Sequence, residues 1–219
     1  MIQELKNLIE ETSGGNNLGE KIIIVGATKT VPAETINLAI ENGLKVVAEN
    51  KVQEFCEKTD KLIGAEQQFI GHLQTNKVKY LVGKVSLIQS VDSIHLAEEI
   101  GKFAVKRNVT QDILAEINVG GELSKSGFTP QNAAEAVKLL SKISGINVKG
   151  LMAMLPKNAE TMEKEKLCLQ MRNIYDNLKK DGFNLSILSM GMSKDYKIAI
   201  KCGSNMIRIG SLIFGERSY

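Results

Sequence analysis

Short apolar runs rich in isoleucine and valine alternate along the chain with longer stretches in which apolar residues recur every three or four positions. The runs are IIIVGAT (22–28), KVVAE (45–49), QQFIG (67–71), SLIQS (86–90), ILAEINV (113–119), VKGLM (148–152), ILSMG (187–191) and MIRIG (206–210). Parallel strands covered on both faces need such near-continuous apolar runs, and the stretches between them read as helices laid over the sheet. Helices are predicted over 32–42, 52–62, 76–81, 93–106, 159–180 and 193–201, with another opening at Thr129–Pro130 and a last one over 211–219. Ile2, Leu5, Leu8 and Ile9 add helical spacing at the N-terminus, with acids between them, unlike the apolar core of a signal peptide.

Eight strand–helix units predict an α/β protein built as a closed (β/α)₈ barrel, because open doubly wound sheets use five or six strands. No Pro/Ser-rich linker or charge run divides the chain, so residues 1–219 are expected to form a single domain. A length of 219 residues suits one such barrel.

Composition narrows the classes further. The charge of +3 comes from 28 basic and 25 acidic residues spread along the whole chain, with no basic stripe for nucleic acid. No apolar run approaches the ~20 residues that cross a bilayer, so a cytoplasmic protein without a membrane partner is expected. Cys56, Cys168 and Cys202 lie far apart, which argues against a disulfide framework and against structural zinc. Asp92 and His95 read as helix-start residues, and no metal site is expected.

Reactive groups in such barrels gather where strands end. The first strand ends in Thr28–Lys29–Thr30, which puts a primary amine at the mouth. Desolvation there disfavours the ammonium and frees the amine to attack a carbonyl; the plainer reading is a solvated lysine just beyond a strand. After the last strand, Gly210 and Ser211 open the final helix in a turn that can cradle phosphate. After the seventh come Met190, Gly191, Met192 and Ser193, with Ser193 placed to cap the next helix and the Gly191 turn to aim N–H groups inward. Each loop alone is as readily structural. In a closed barrel the first and last strands are neighbours, so the lysine and both loops meet, and pyridoxal 5′-phosphate (PLP), with an aldehyde at one end and a phosphate at the other, has the shape to span them.

The motifs ATKTVP around Lys29, ENKVQE (49–54), FIGHLQTNK (69–77), SMGMSKDYKIAI (189–200) and IRIGSLIFGERSY (207–219) resemble those of the pyridoxal-phosphate homeostasis proteins. These are single-barrel relatives of the alanine racemase N-terminal domain, and the resemblance runs nearly the whole chain. It implies that Lys29 holds PLP as a Schiff base and that Ser193, Gly210 and Ser211 bind its phosphate. It further implies that Arg208 faces the pyridine nitrogen, that Asn50 lies near the ring, and that Met190 and Met192 line the pocket. Thr28 stands where the family often has Ser, and Ala48 where it often has Gly. His72 belongs to the motif after the third strand and reads as a packing histidine or a general base.

The resemblance implies a cofactor role in the intracellular homeostasis of PLP, as storage, delivery or regulation, with PLP-dependent apo-enzymes as partners, and the helix faces suit either a monomer or a weak dimer. An arginine at the pyridine nitrogen leaves it unprotonated and weakens the ring as an electron sink. Alanine racemase also adds a C-terminal β-domain with a catalytic tyrosine, whereas this chain ends at Tyr219, so no catalytic residue is assigned. The alternatives are a weak PLP-dependent amino-acid racemase or lyase, and a sugar-phosphate barrel enzyme without PLP.

Overall fold

Isoleucine and valine dominate Ile23–Ala27 and Val46–Glu49, and their branched side chains favour extended backbone. These segments are the first two strands, β1 and β2, of a computed structural model that describes residues 1–122 and 125–215. The others are β3 (Glu66–Phe69), β4 (Leu87–Val91), β5 (Gln111–Ile117), β6 (Ile146–Ala153), β7 (Ile187–Met192) and β8 (Met206–Ile209). Each pairs in parallel with the next, and β8 pairs with β1 to close the barrel.

Around it run α1 (Ile2–Thr12), α2 (Ala33–Glu41), α3 (Val52–Lys58), α4 (Ile94–Lys106), α5 (Ala133–Leu140), α6 (Thr161–Lys180), α7 (Tyr196–Lys201) and α8 (Ser211–Phe214). The predicted helix over 52–62 is shorter, since α3 gives way to a 3₁₀ turn at Thr59–Lys61. Thr75–Tyr80 is wholly 3₁₀. Thr129 accepts from the Asn132 N–H and Pro130 sits in the first turn, as predicted, but of a 3₁₀ segment leading into α5. The predicted last helix is described to Phe214; its stretch 216–219, including Tyr219, lies outside the described residues. Among the described residues, no helix is long and apolar enough to cross a membrane.

Side chains alternate across each strand, so one set packs under the helices and the other fills the lumen. Phe69, Ile88, Ile113, Leu188 and Met190 belong to the core between sheet and helices. Val25, Val46, Leu87, Leu114, Met152 and Met206 form the apolar part of the lumen. By the same alternation Gln68, Gln89, Glu116, Ser189 and Arg208 also face inward, and all are buried. The barrel interior is therefore partly polar.

Candidate functional site

Lys29 follows β1 at the C-terminal mouth, half-buried, between Thr28 and Thr30. Thr30 adopts φ 65°, a left-handed conformation that a β-branched residue rarely takes and that persists only when the surroundings hold it. Here they do. The Thr30 N–H donates to Glu54 Oε2 at 2.7 Å, and the Thr28 hydroxyl donates to Glu49 Oε1 at 2.7 Å. Lys58 Nζ ties the two carboxylates together, at 2.8 Å from Glu49 and 3.1 Å from Glu54, and also donates to the Thr28 carbonyl at 3.0 Å. Burial raises the Glu54 pKa, but the Thr30 N–H and Lys58 outweigh it and hold the carboxyl below the usual range. The residues on both sides of Lys29 are thus pinned by one ionic network.

Asn50 begins the loop after β2. Gly71 passes so close that a Cβ there would lie 1.9 Å from the Asn50 carbonyl oxygen, so a side chain at 71 would push this loop away. Asn50 Oδ1 and Glu49 Oε2 are buried without a hydrogen-bond partner among the described residues. Such orphaned acceptors are costly in a protein interior and mark a place where a ligand donor fits.

β1 and β8 are in register, Gly26 opposite Ile209, which sets the Lys29 turn beside Gly210. Ser193 does not cap the next helix as predicted: α7 begins at Tyr196, with Asp195 at its cap position and its carboxylate accepting the Met192 N–H at 2.6 Å. Freed from capping, the Ser193 hydroxyl oxygen accepts the N–H groups of Gly210 and Leu212, both at 3.3 Å. The two loops therefore meet, with two backbone donors converging on one oxygen. A Cβ built on Gly210 would meet only Ala27, at 3.5 Å, so protein does not fill the space over that turn. Gly191 also has a packing role. At φ 93° it lets α7 pack closely, since a Cβ would lie 2.7 Å from Ala199.

Met192 is partly exposed at the mouth, but Met190 is fully buried in the core under the helices, on the strand face opposite Ser189. Strand alternation thus removes Met190 from the pocket lining that the resemblance implied. Arg208 rises through the lumen, 5% exposed, with Nη1 donating to Ser189 O and Oγ and Nη2 to Ala153 O. Three of its five N–H groups are spent on these bonds. Burial pulls its pKa down to about 10, opposed by Glu116 and Asp195, so it stays a cation at neutral pH.

Sequence reasoning missed Glu116, on the lumen face of β5. Burial, then the nearby Asp92 charge, push its pKa up to about 7, against the pull of Arg208 and Lys125. A carboxylate inside the apolar run ILAEINV was the available signal. Asp92 also meets His72, with Nδ1 3.2 Å from Oδ2, which gives the exposed imidazole an orienting partner. Because the folded pKa of Glu116 exceeds the unfolded 4.5, the native state holds the extra proton between pH 4.5 and about 7, and stability falls as pH rises through that window. Glu116→Gln is expected to flatten that fall and to raise stability at pH 8 by about 3 kcal/mol at most. Thermal melts of both proteins at pH 5 and pH 8 check this; an equal pH dependence in the two would rule it out.

The family model "alanine racemase, N-terminal domain" matches residues 25–218. The pyridoxal phosphate homeostasis protein of Aquifex aeolicus is 42% identical over the whole chain and 96% of its own length. Among solved structures, PipY of Synechococcus elongatus with PLP bound superposes with a TM-score of 0.85 at 27% identity, over 97% of this chain and all of that one. An alanine racemase from Clostridium difficile shares the fold at a TM-score of 0.79 and 17% identity, with this chain covering 59% of its length. The matches extend from the Lys29 strand to the Gly210 turn, and the chain belongs to the pyridoxal phosphate homeostasis protein family, within the alanine racemase N-terminal domain group.

Proposed function

We propose that this chain holds PLP on Lys29 and serves the intracellular homeostasis of that cofactor, as storage, delivery to PLP-dependent apo-enzymes or regulation. The observation that carries the reading is the adjacency of an amine turn on β1 and two backbone donors after β8 that converge on the Ser193 oxygen of the β7 loop. PLP supplies, when bound, an aldehyde for a lysine amine and an electron-withdrawing ring. The rest of the work falls to the protein. Lys29 presents the amine from a turn braced by Glu49, Glu54 and Lys58. Ser211, the Ser193 hydroxyl and the N–H groups of Gly210 and Leu212, which donate to the Ser193 oxygen until an anion takes its place, are the donors assigned to the phosphate. Asn50 brings an unsatisfied acceptor to the mouth, and Arg208 keeps two N–H groups for the ring. Met192 adds apolar surface beside them.

One feature favours a holder over a racemase. The cationic Arg208 cannot give the ring nitrogen a carboxylate partner of the kind that keeps it protonated. Against this, Glu116 and the His72–Asp92 pair are groups able to move protons, and they are what favours the weak racemase or lyase reading. Deuterium exchange at the α-carbon of L-alanine and other amino acids, followed in D₂O with PLP-loaded protein, decides between them. Exchange far slower than ~1 s⁻¹ is expected; rates at or above that, typical of enzymes, would promote the racemase.

The anion loops carry their own prediction. Ser211→Ala is expected to weaken PLP by about ten- to a hundred-fold, the worth of one hydrogen bond to a charged group. Gly210→Val should weaken it further, because its side chain takes the open space over the turn. Equilibrium titrations check both, and unchanged affinity in the pair would move the phosphate elsewhere.

A further inference from the structure

At the opposite end of the barrel from Lys29, a cavity of about 550 Å³ opens among the strand starts. That is the size of a small-molecule pocket, on a face that in these barrels ordinarily serves stability. Ile23, Val46, Leu87, Ile187 and Met206 give it aliphatic walls.

Gln68, 4% exposed, reaches the cavity from the lumen face of β3. Its Oε1 accepts from Gln89 Nε2 at 2.7 Å, while its own Nε2 has no hydrogen-bond partner among the described residues. Gln89 Oε1 in turn accepts from Ser189 Oγ at 2.7 Å, and Ser189 Oγ accepts from Arg208 Nη1 at 2.6 Å. Every donor in this buried chain points the same way, from the guanidinium through Ser189 and Gln89 to Gln68. Each bond polarises the next, so the chain starts on a cation and ends on an unused, strengthened N–H at the cavity. An acceptor placed there would complete it.

Two lysines and two carboxylates line the cavity, and the carboxylates already hold neutral donors. Asp112 already accepts from Asn147 at 2.8 Å, and Glu66 from the Ser86 hydroxyl at 3.4 Å. Lys21 and Lys45, which also line the cavity, make no ion pair among the described residues. We propose that this cavity is a second small-molecule site, which takes an aliphatic monocarboxylate: its oxygens accept from Gln68 Nε2 in the field of Lys21 and Lys45, and its carbon chain lies against the aliphatic walls. The site is independent of the cofactor reading.

Isocaproate titrated into the full chain without PLP, with ¹³C-methyl labels on Met and Ile, tests this directly. Saturable shifts are expected at Met206, Ile23 and Ile187, with the exposed Met154 and Met162 unmoved. Gln68→Met, which keeps length and removes the donor, should lower isocaproate affinity by about ten-fold or more. Because that variant also disturbs Gln89, the double variant Lys21→Gln with Lys45→Gln provides a second reading. It should lower affinity for isocaproate but not for isocaproamide, which should bind the unaltered protein more weakly than the acid. No saturable shift at Met206, unchanged isocaproate affinity in the Gln68 or lysine variants, or an amide as tight as the acid would overturn the proposal. PLP binding is read separately by visible absorbance, so failure of either reading leaves the other standing.

Discussion

Lys29→Ala is expected to abolish the visible absorbance and the borohydride-reducible adduct that the protein forms with PLP, while leaving the barrel folded. The side chain is half-buried in a turn after β1, beyond the end of the strand, and the apolar core stays in place without it. Other amines are poorly placed to substitute. Lys58 lies deeper beneath the same turn, and its Nζ is engaged by Glu49 and Glu54. Lys77 and Lys194 are exposed and lie outside the turn that follows β1. Peptide mapping after borohydride reduction checks the assignment, and an adduct that survives in the variant on Lys77 or Lys194 would refute it.

All eight strands were legible because a strand covered on both faces must be apolar almost throughout, and each such run lies within two residues of an observed strand. The adjacency of Lys29 to Gly210 followed from closure alone. What escaped were features that depend on which face a residue takes. SLIQS reads as an apolar strand, yet it hides Gln89 in the lumen as part of a polar chain from Arg208 to Gln68. Met190 and Met192 share parity in the sequence, but the register between β7 and β8 shifts between Ser189 and Met192, so one packs under helices while the other reaches the mouth. Glu54 and Lys58 look like an ordinary surface pair four apart on a helix. Only the fold shows that this face of α3 turns toward the strand ends, where the pair braces the lysine turn.

That bracing predicts the largest stability effect. Lys58→Met is expected to destabilise the protein by about 3–5 kcal/mol, the cost of leaving a buried charge without its partner. The Lys58 side chain is 13% exposed and Glu49's 4%, so water cannot take over the neutralisation that the ammonium supplies to Glu49. Methionine keeps the length of the lysine stem, which confines the loss to charge and hydrogen bonds and leaves Glu49 and Glu54 as neighbouring carboxylates. The strained Thr30 depends on Glu54 and the Thr28 hydroxyl on Glu49, so the turn that presents Lys29 should loosen and PLP affinity fall along with stability. Adding Glu49→Gln to Lys58→Met removes the stranded charge while an amide oxygen still accepts from Thr28, and should recover a large part of the loss as a coupling between contacting residues. Urea unfolding of the two single variants and the double, beside PLP titrations of each, measures this. If Lys58→Met unfolded within about 1 kcal/mol of the parent, the range of a screened surface pair, the network would not be what holds the lysine turn.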